Sequence, residues 1–316
     1  MLIQKQIDFM KVRKLAASAS AVLVLVSIVS LVFSGLNLGL DFTSGTAVRL
    51  SYSQAVDLGA VNEQLSNAGY DEAVVVNFGS DRDIRVILPV DESVAEQDLA
   101  AEAAMTGEII ADLLRANGAN QITVLGSDYV SPKVGEELSE QGGLGMLVAL
   151  GIIMVYIAVR FQFKFSVGAV AALAHDVIIT LGLFSLLQLE FNLNTLAAVL
   201  AIIGYSLNDT IVVADRIREN FRRMRTGSPE EMVNVSLNQT LGRTLVTSFT
   251  TLLVLFSVLF VGGESTQGFA IALIIGVIIG TYSSIYIASN VILWMKVSRE
   301  DLMVPVKEGA ELEQVP

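Results

Sequence analysis

Six stretches of the chain are apolar at nearly every position, and between the first two lies a long segment whose apolar positions follow shorter periods. The apolar runs are Leu15–Ser34, Gly142–Val159, Val167–Leu187, Leu193–Ala214, Leu245–Val261 and Phe269–Trp294. Each is long enough to cross a hydrocarbon layer of about 30 Å as a helix. The sixth is long enough to tilt, or to hold a shorter span plus an interfacial segment. Its Gly276-Val-Ile-Ile-Gly280 would let another helix approach closely, although that spacing is common by chance.

The intervening segment, residues 35–141, changes period repeatedly. "TAVRLSYS" alternates as a strand does, and "AVDLGAVNEQLSNAG" has helical spacing. "EAVVVNFG" and "RDIRVILPV" are β-branched runs separated by a turn-like Gly79-Ser80-Asp81. "VAEQDLAAEAAMTGEIIADLLRANG" is a long amphipathic helix ending at Gly118, and "QITVLGSDYV" closes as a strand. The order β-α-β-β-α-β is the ferredoxin-like plan. The fold class that follows is an α-helical membrane protein with six transmembrane helices plus an α+β ferredoxin-like domain.

Composition agrees with this division. The chain is 53% hydrophobic and 16% charged, with mean hydropathy +0.62; soluble domains average about 25% charged residues. The absence of cysteine removes disulfides, thiolate metal sites and cysteine nucleophiles. The pI near 4.6 argues against nucleic acid as a partner. The net charge of −12 is unevenly spread, because Gly35–Glu140 alone carries 18 acidic and 5 basic residues. A solvated acidic domain is joined to a nearly neutral membrane body.

The basic residues predict orientation. Lys5, Lys11, Arg13 and Lys14 precede the first span, and Arg160 and Lys164 lie in the loop after the second. Arg216, Arg218, Arg222, Arg223 and Arg225 follow the fourth, and Lys296 and Arg299 the sixth. The connections around Glu190 and Glu264 carry no Lys or Arg. Both termini are therefore expected in the cytoplasm and the acidic domain on the other side. The first span lacks a small-residue cleavage site before "GLNLGLDF" and reads as an uncleaved anchor.

Three ionisable side chains lie well inside apolar runs: His175 and Asp176 in the third, and Asp209, beside Asn208, in the fourth. A carboxylate at mid-helix costs about 2.5–3.5 kcal/mol and is usually offset by a partner or a hydrated cavity, often in transport or proton relay. Small and hydroxylated neighbours of Asp209 (Gly204, Ser206, Thr210) suit a packed, partly hydrated interface; an Asp that only locks helices together is the alternative. Arg243, at the edge of the fifth run, either snorkels to the headgroups or pairs with Asp209. It opens a hydroxylated seam in which Arg243, Thr247 and Thr250 share a face. His175 and Asp176, being adjacent, are expected to point about 100° apart; they serve either as a proton relay or in helix packing. No P-loop, metal-ligand pattern, nucleophile elbow or catalytic constellation occurs, so no catalytic residue, metal or cofactor is assigned and the chain does not read as an enzyme. Any work must draw on an ion gradient or a partner's nucleotide.

Four segments carry a family resemblance. "GLNLGLDFTSGT" (Gly35–Thr46) is similar to the element G-[IL]-D-F-[TA]-G-G-[TS], through Gly39, Asp41, Phe42 and Gly45; Ser44 stands where its first Gly of the pair is usual. "AHDV", "GYSLNDTIVVADRIREN" and "NQTLGRTLVTS" complete the match. Together they resemble the SecF side of the SecD/SecF family of bacterial protein-export membrane proteins, within the RND-type transporter superfamily, and the resemblance covers essentially the whole chain. It implies one six-helix RND-type half, completed by a separate SecD chain, in the bacterial cytoplasmic membrane with the acidic loop in the periplasm. SecYEG, SecA, YajC and YidC are the further partners it implies, with unfolded preprotein as substrate and membrane lipid around the spans. It implies that Asp209 and Arg243 couple proton movement to a hinged outer domain at a late stage of export. An RND-type exporter half for small hydrophobic molecules or lipids, and a pure scaffold, are the competing readings.

The expected division is residues 1–14 as the cytoplasmic N-terminus, spans at 15–34, 142–159, 167–187, 193–214, 245–261 and 269–294, and a periplasmic domain with linkers at 35–141. Residues 215–243 form a cytoplasmic loop and 295–316 a cytoplasmic tail.

Overall fold

The computed structural model describes residues 7–43, 45–78, 80–88, 99–116, 122–160, 162–224 and 226–298. Ser44, Gly79, Gly118 and most of the expected C-terminal tail lie outside the described residues. Six helices are long and apolar enough to cross a membrane. They are α1 (Arg13–Phe33), α5 (Pro132–Arg160), α6 (Phe163–Leu186), α7 (Leu193–Arg223), α8 (Pro229–Val261) and α9 (Glu264–Ser283), which continues through a π segment (Ser284–Ala288) into α10 (Ser289–Trp294).

Several helices outrun their apolar stretches. The second begins at Pro132 instead of Gly142, one residue after the last strand of the α+β domain, so it leaves that domain without a loop. Residues 215–243 are mostly helix, not loop. The fourth helix continues to Arg223 and the fifth starts at Pro229, leaving a short turn between them. The start at Pro229 has a local cause. Ser228 and Glu231 form a reciprocal capping box, Pro occupies the first helical position, and Glu230 and Glu231 sit favourably on the dipole. The extension is anchored by packing of Phe221, Met232, Val233 and Leu237 with Phe9 and Met10, by Asn238 Nδ2 donating to the Ile7 carbonyl, and by Arg13–Glu230 at 3.1 Å.

Between α1 and α5 the chain forms β1 (Asn37–Leu38), α2 (Leu40–Thr43), β2 (Gly45–Tyr52), α3 (Leu58–Asn67), β3 (Val74–Phe78), β4 (Ser80–Leu88), α4 (Leu99–Ala116) and β5 (Ile122–Val130). The sheet runs β3-β4-β2-β5, antiparallel throughout, which is the ferredoxin-like order. Ser80 and Asp81 belong to β4 instead of a turn, with Ser80 paired to Phe78. Val48, Leu50, Ile84 and Val86 alternate onto the face that meets Val61, Leu65, Ile110 and Leu114, and these form a core separate from the bundle's. Two strand residues of the membrane body, β6 (Glu190–Phe191), pair in parallel with β1.

Within the bundle α6 and α7 are central. Just over half of each apolar stretch (56%) is buried by the chain itself, against 6% for α5 and 17% for α8. α7 and α9 cross where a Cβ on Gly276 would lie 2.3 Å from Ile202 Cγ1, so the Gly276–Gly280 spacing is used as a close helix contact.

Candidate functional site

The two intramembrane carboxylates have opposite surroundings. Asp176 on α6 is fully buried and fully engaged. Its Oδ2 accepts from Ser206 on α7 at 2.5 Å and from Ser283 on α9 at 2.7 Å, and its Oδ1 lies 2.9 Å from His175 Nδ1. The adjacent pair therefore bond directly to each other; rotation of both side chains overcomes the angular separation expected from helix geometry. Thr180 closes the turn by donating to the Asp176 carbonyl at 2.8 Å. Three central helices are pinned by one carboxylate. The His175 ring stacks on Tyr282 at 6.2 Å, and its Nε2 is buried without a partner among the described residues. Tyr282 in turn donates to the Ala16 carbonyl of α1 at 2.8 Å.

Asp209 lies one turn beyond Ser206 on the same helix. It is 3% exposed, yet its Oδ2 has no hydrogen-bond partner among the described residues. The hydroxyls of neighbouring Thr210 and of Thr244 on α8 are also buried without partners. Arg243, one residue before Thr244 on α8, is exposed. A buried carboxylate with an oxygen that no described residue bonds is an arrangement that a proton would change.

The hydroxylated seam on α8 splits in two. Thr244 and Ser248 face inward, and Ser248 Oγ lies 2.7 Å from Thr281 Oγ1 and accepts from Tyr205 at 3.3 Å. Thr247 and Thr250 instead donate to carbonyls of their own helix, at 3.1 Å to Arg243 and 2.9 Å to Val246. Asn208 is exposed and continues a stripe on α7 of Ala197, Ala201 and Gly204. Asn208, Arg243 and Thr250 thus reach the open surface of the bundle, whereas Asp209 and Asp176 lie behind it.

The Gly39–Gly45 element builds a socket at the other end of α7. Asp41 Oδ2 accepts from the backbone N–H of Leu193 at 2.9 Å, and Asn192 Oδ1 accepts from Thr195 at 3.0 Å, so two side chains cap the helix. Phe42 stacks on Phe191 at 5.9 Å. Gly39 donates its N–H to the Phe191 carbonyl at 2.9 Å, and a Cβ there would lie 2.9 Å from Glu190 Oε1. Gly45 has φ +128°, where an L side chain is strained. Neither the roles of Ser206 and Ser283 nor the Asp41–Leu193 contact is legible in the sequence; a serine in an apolar run and a capping Asp carry no mark of a distant partner. Among the described residues no group of His, Asp and Glu could hold a metal ion.

Residues 109–298 match the family described as "Protein export membrane protein SecD/SecF, C-terminal", and residues 29–56 match the SecD/SecF GG motif. The chain is 47% identical to Protein translocase subunit SecF of Pseudomonas aeruginosa, covering 95% of this chain and 94% of that one. Identity to the subunit of the same name from Vibrio alginolyticus is 44%, with 99% and 98% covered, and to that of Escherichia coli O157:H7 41%, with 98% and 94% covered. Among solved structures it is similar to SecDF, a translocon-associated membrane protein from Thermus thermophilus, with TM-score 0.81 and 38% identity. That match covers 94% of this chain but 39% of the SecDF chain. A second SecDF structure, in a super-membrane-facing form, matches with TM-score 0.63 at 36% identity over the same shares.

Proposed function

The chain belongs to the SecD/SecF family of protein-export membrane proteins, and from that premise we propose that it is the SecF subunit of the Sec translocase, one six-helix half that works with a separate SecD half. The pairing is supported by the surface of the bundle. The central helix α7 leaves a smooth stripe of Ala197, Ala201 and Gly204 uncovered, a surface another helix can approach closely. α5 and α8 beside it are mostly unburied by this chain. The family's associations with SecYEG, SecA, YajC and YidC, and its preprotein substrate, extend to this chain on the same premise. On the same reading, the basic ends of α5 and α7, with Lys296 just after α10, face the cytoplasm and the α+β domain faces the periplasm.

The single observation that carries the mechanism is Asp209: a buried carboxylate with an oxygen that no described residue bonds, with Arg243 exposed on the neighbouring helix α8 as its proposed partner. Protonation removes its charge and its attraction to Arg243, and the helices repack. One elementary charge moved through about 100 mV supplies roughly 2.3 kcal/mol, several times thermal energy. No bond to substrate is made or broken; the output is a change in the position of the outer domain, which helps late-stage preprotein movement. The test is export by vesicles carrying Asp209→Asn with and without an imposed proton gradient. Loss of the gradient response with assembly intact supports the reading, and an undiminished response overturns it.

A further inference from the structure

We propose that Arg85, Glu190 and Asp41 are positioning residues of a rigid joint, so that the outer domain and α7 move as one body. The proposal rests on the proton-coupling reading above and says how movement at Asp209 reaches the outer domain. Three observations carry it.

First, the domain has no slack on its C-terminal side, because β5 ends at Val130 and α5 begins at Pro132 and runs unbroken to Arg160. Second, Asp41, on α2 immediately before β2 in the chain, holds the Leu193 N–H at 2.9 Å. A carboxylate at that position also sits on the positive end of the helix dipole. Leu193 and Asp209 lie on one unbroken helix, about 24 Å apart at 1.5 Å per residue, so a tilt or rotation felt at one is felt at the other.

Third, the helix-free face of the sheet carries Arg49 and Arg85 directly opposite each other on β2 and β4. Like charges so placed repel. Asp128 answers Arg49 at 3.2 Å from within the domain, but Arg85 is answered by Glu190, at 2.5 Å, from the α6–α7 connection of the membrane body. The Arg85 side chain is 15% exposed, so this pair is partly desolvated and separating it carries a cost that a fully exposed pair would not. The pair thus ties the sheet of the outer domain directly to the α6–α7 connection of the membrane body. A hinged outer domain, as expected from the family resemblance, would have to open this joint.

The test uses the complete complex of this chain with SecD in export-competent vesicles. Glu190→Arg and Arg85→Glu should each lower gradient-stimulated export several-fold, with assembly and gradient-independent export near wild type. The doubly swapped chain should recover the gradient response, as a coupled pair does. Because the chain has no cysteine, Arg85→Cys with Glu190→Cys can be bridged by a short reducible bis-thiosulfonate. The gradient response should return when bridged and fall again on reduction, a reversible change that a merely stabilising contact does not give. The proposal is overturned if the single charge reversals respond to the gradient like wild type, or if bridging abolishes export. It is equally overturned if all the variants lose assembly together, which would make the pair structural only. Failure of the underlying reading looks different: Asp209→Asn then keeps the gradient response while the joint variants are irrelevant to it.

Discussion

Ser206 on α7 donates its hydroxyl to Asp176 on α6 at 2.5 Å, and the same oxygen takes a second bond from Ser283 on α9. One helical turn away, Asp209 is nearly as buried but holds an oxygen with no partner. The two carboxylates should therefore answer substitution in opposite ways. Asp176→Ala strips both serines and His175 of their acceptor inside the bundle, and removal of one member of such a buried network costs about 3–5 kcal/mol. Thermal unfolding of the purified chain in detergent should show a clear loss. Asp209→Asn breaks no bond at Oδ2 and should change stability by less than about 1 kcal/mol. Equal losses for both would show that Asp209 is also a packing residue.

Gly276 is the second place where stability should respond steeply. Its missing Cβ would lie 2.3 Å from Ile202 Cγ1, and Ile202 is itself buried against α9. Gly276→Leu must drive α7 and α9 apart, at a cost of roughly 1–3 kcal/mol for overpacking or more. Gly204→Leu, on the open stripe of α7 with nothing within 4 Å of its Cβ position, should leave the isolated chain unaffected. In the complex it should weaken co-purification with SecD. A Gly204→Leu chain that assembles normally would remove that stripe from the interface.

The outer domain, cut at residues 45–130, should unfold cooperatively on its own because its core is separate from the bundle's. Its pH dependence has a definite sign at both ends. Burial pushes the Tyr52 hydroxyl up from 10.0 to about 12. Between those values the unfolded chain loses the proton and the folded one keeps it, so stability is intact below pH 10 and falls as pH rises toward 12. Tyr52→Phe should flatten that alkaline slope without loss at pH 7, since the hydroxyl is buried with no partner among the described residues. Hydrogen bonds from Ser51 and then Ser80 hold Asp83 below its usual 3.8. Its contribution is present above that value and fades as pH falls through the folded pKa. Denaturant titrations of the excised domain across pH, with and without Tyr52→Phe, would read both effects.

The spans and the order of the α+β elements were legible because lipid thickness and a two-sided sheet leave periodic marks. Helix ends were not. The stretch from Pro229 to Leu241 is polar on one side and packs the other on Phe9 and Met10, so no apolar run announces it. Asp176 and Asp209 stand out as charges among apolar neighbours, but their partners do not. Ser283 is 107 residues from Asp176, and Leu193 is 152 from Asp41. The inward turn of Thr244 and outward turn of Thr247 depend on the rotation of α8, which its uniformly apolar remainder leaves open.

Orientation is testable with single cysteines. Ser228 caps α8, so Thr226, exposed in the turn between α7 and α8, is the better position. Thr226→Cys should resist an impermeant thiol reagent added outside intact cells, and Glu63→Cys, exposed on α3, should react. Labelling at Thr226 from outside would invert the topology and with it the direction of any proton path.

Asp209 and Arg243 should behave as a coupled pair. Asp209→Asn keeps shape and hydrogen-bonding capacity but cannot carry a proton, so gradient-stimulated export should vanish while expression and assembly with SecD persist. Asp209→Glu still titrates, with a longer reach from the same helix, and should retain part of the response. Arg243 is exposed on α8, so a role for its planar fork and a role for its charge alone can be separated by substitution. Arg243→Lys preserves the charge but not the planar fork of five donors. If the fork docks on the partner half, the lysine variant should lose most of the gradient response; if the residue only snorkels, export should be near wild type. Arg243→Gln, which removes the charge, should abolish the response if Arg243 pairs with Asp209 or docks on the partner half, and spare it only if the residue snorkels. The measurement is the export rate at equal amounts of each variant, at several imposed pH differences. Coupling requires Asp209→Asn to be flat across that range, and a slope like the wild type's would leave Asp209 as a packing residue.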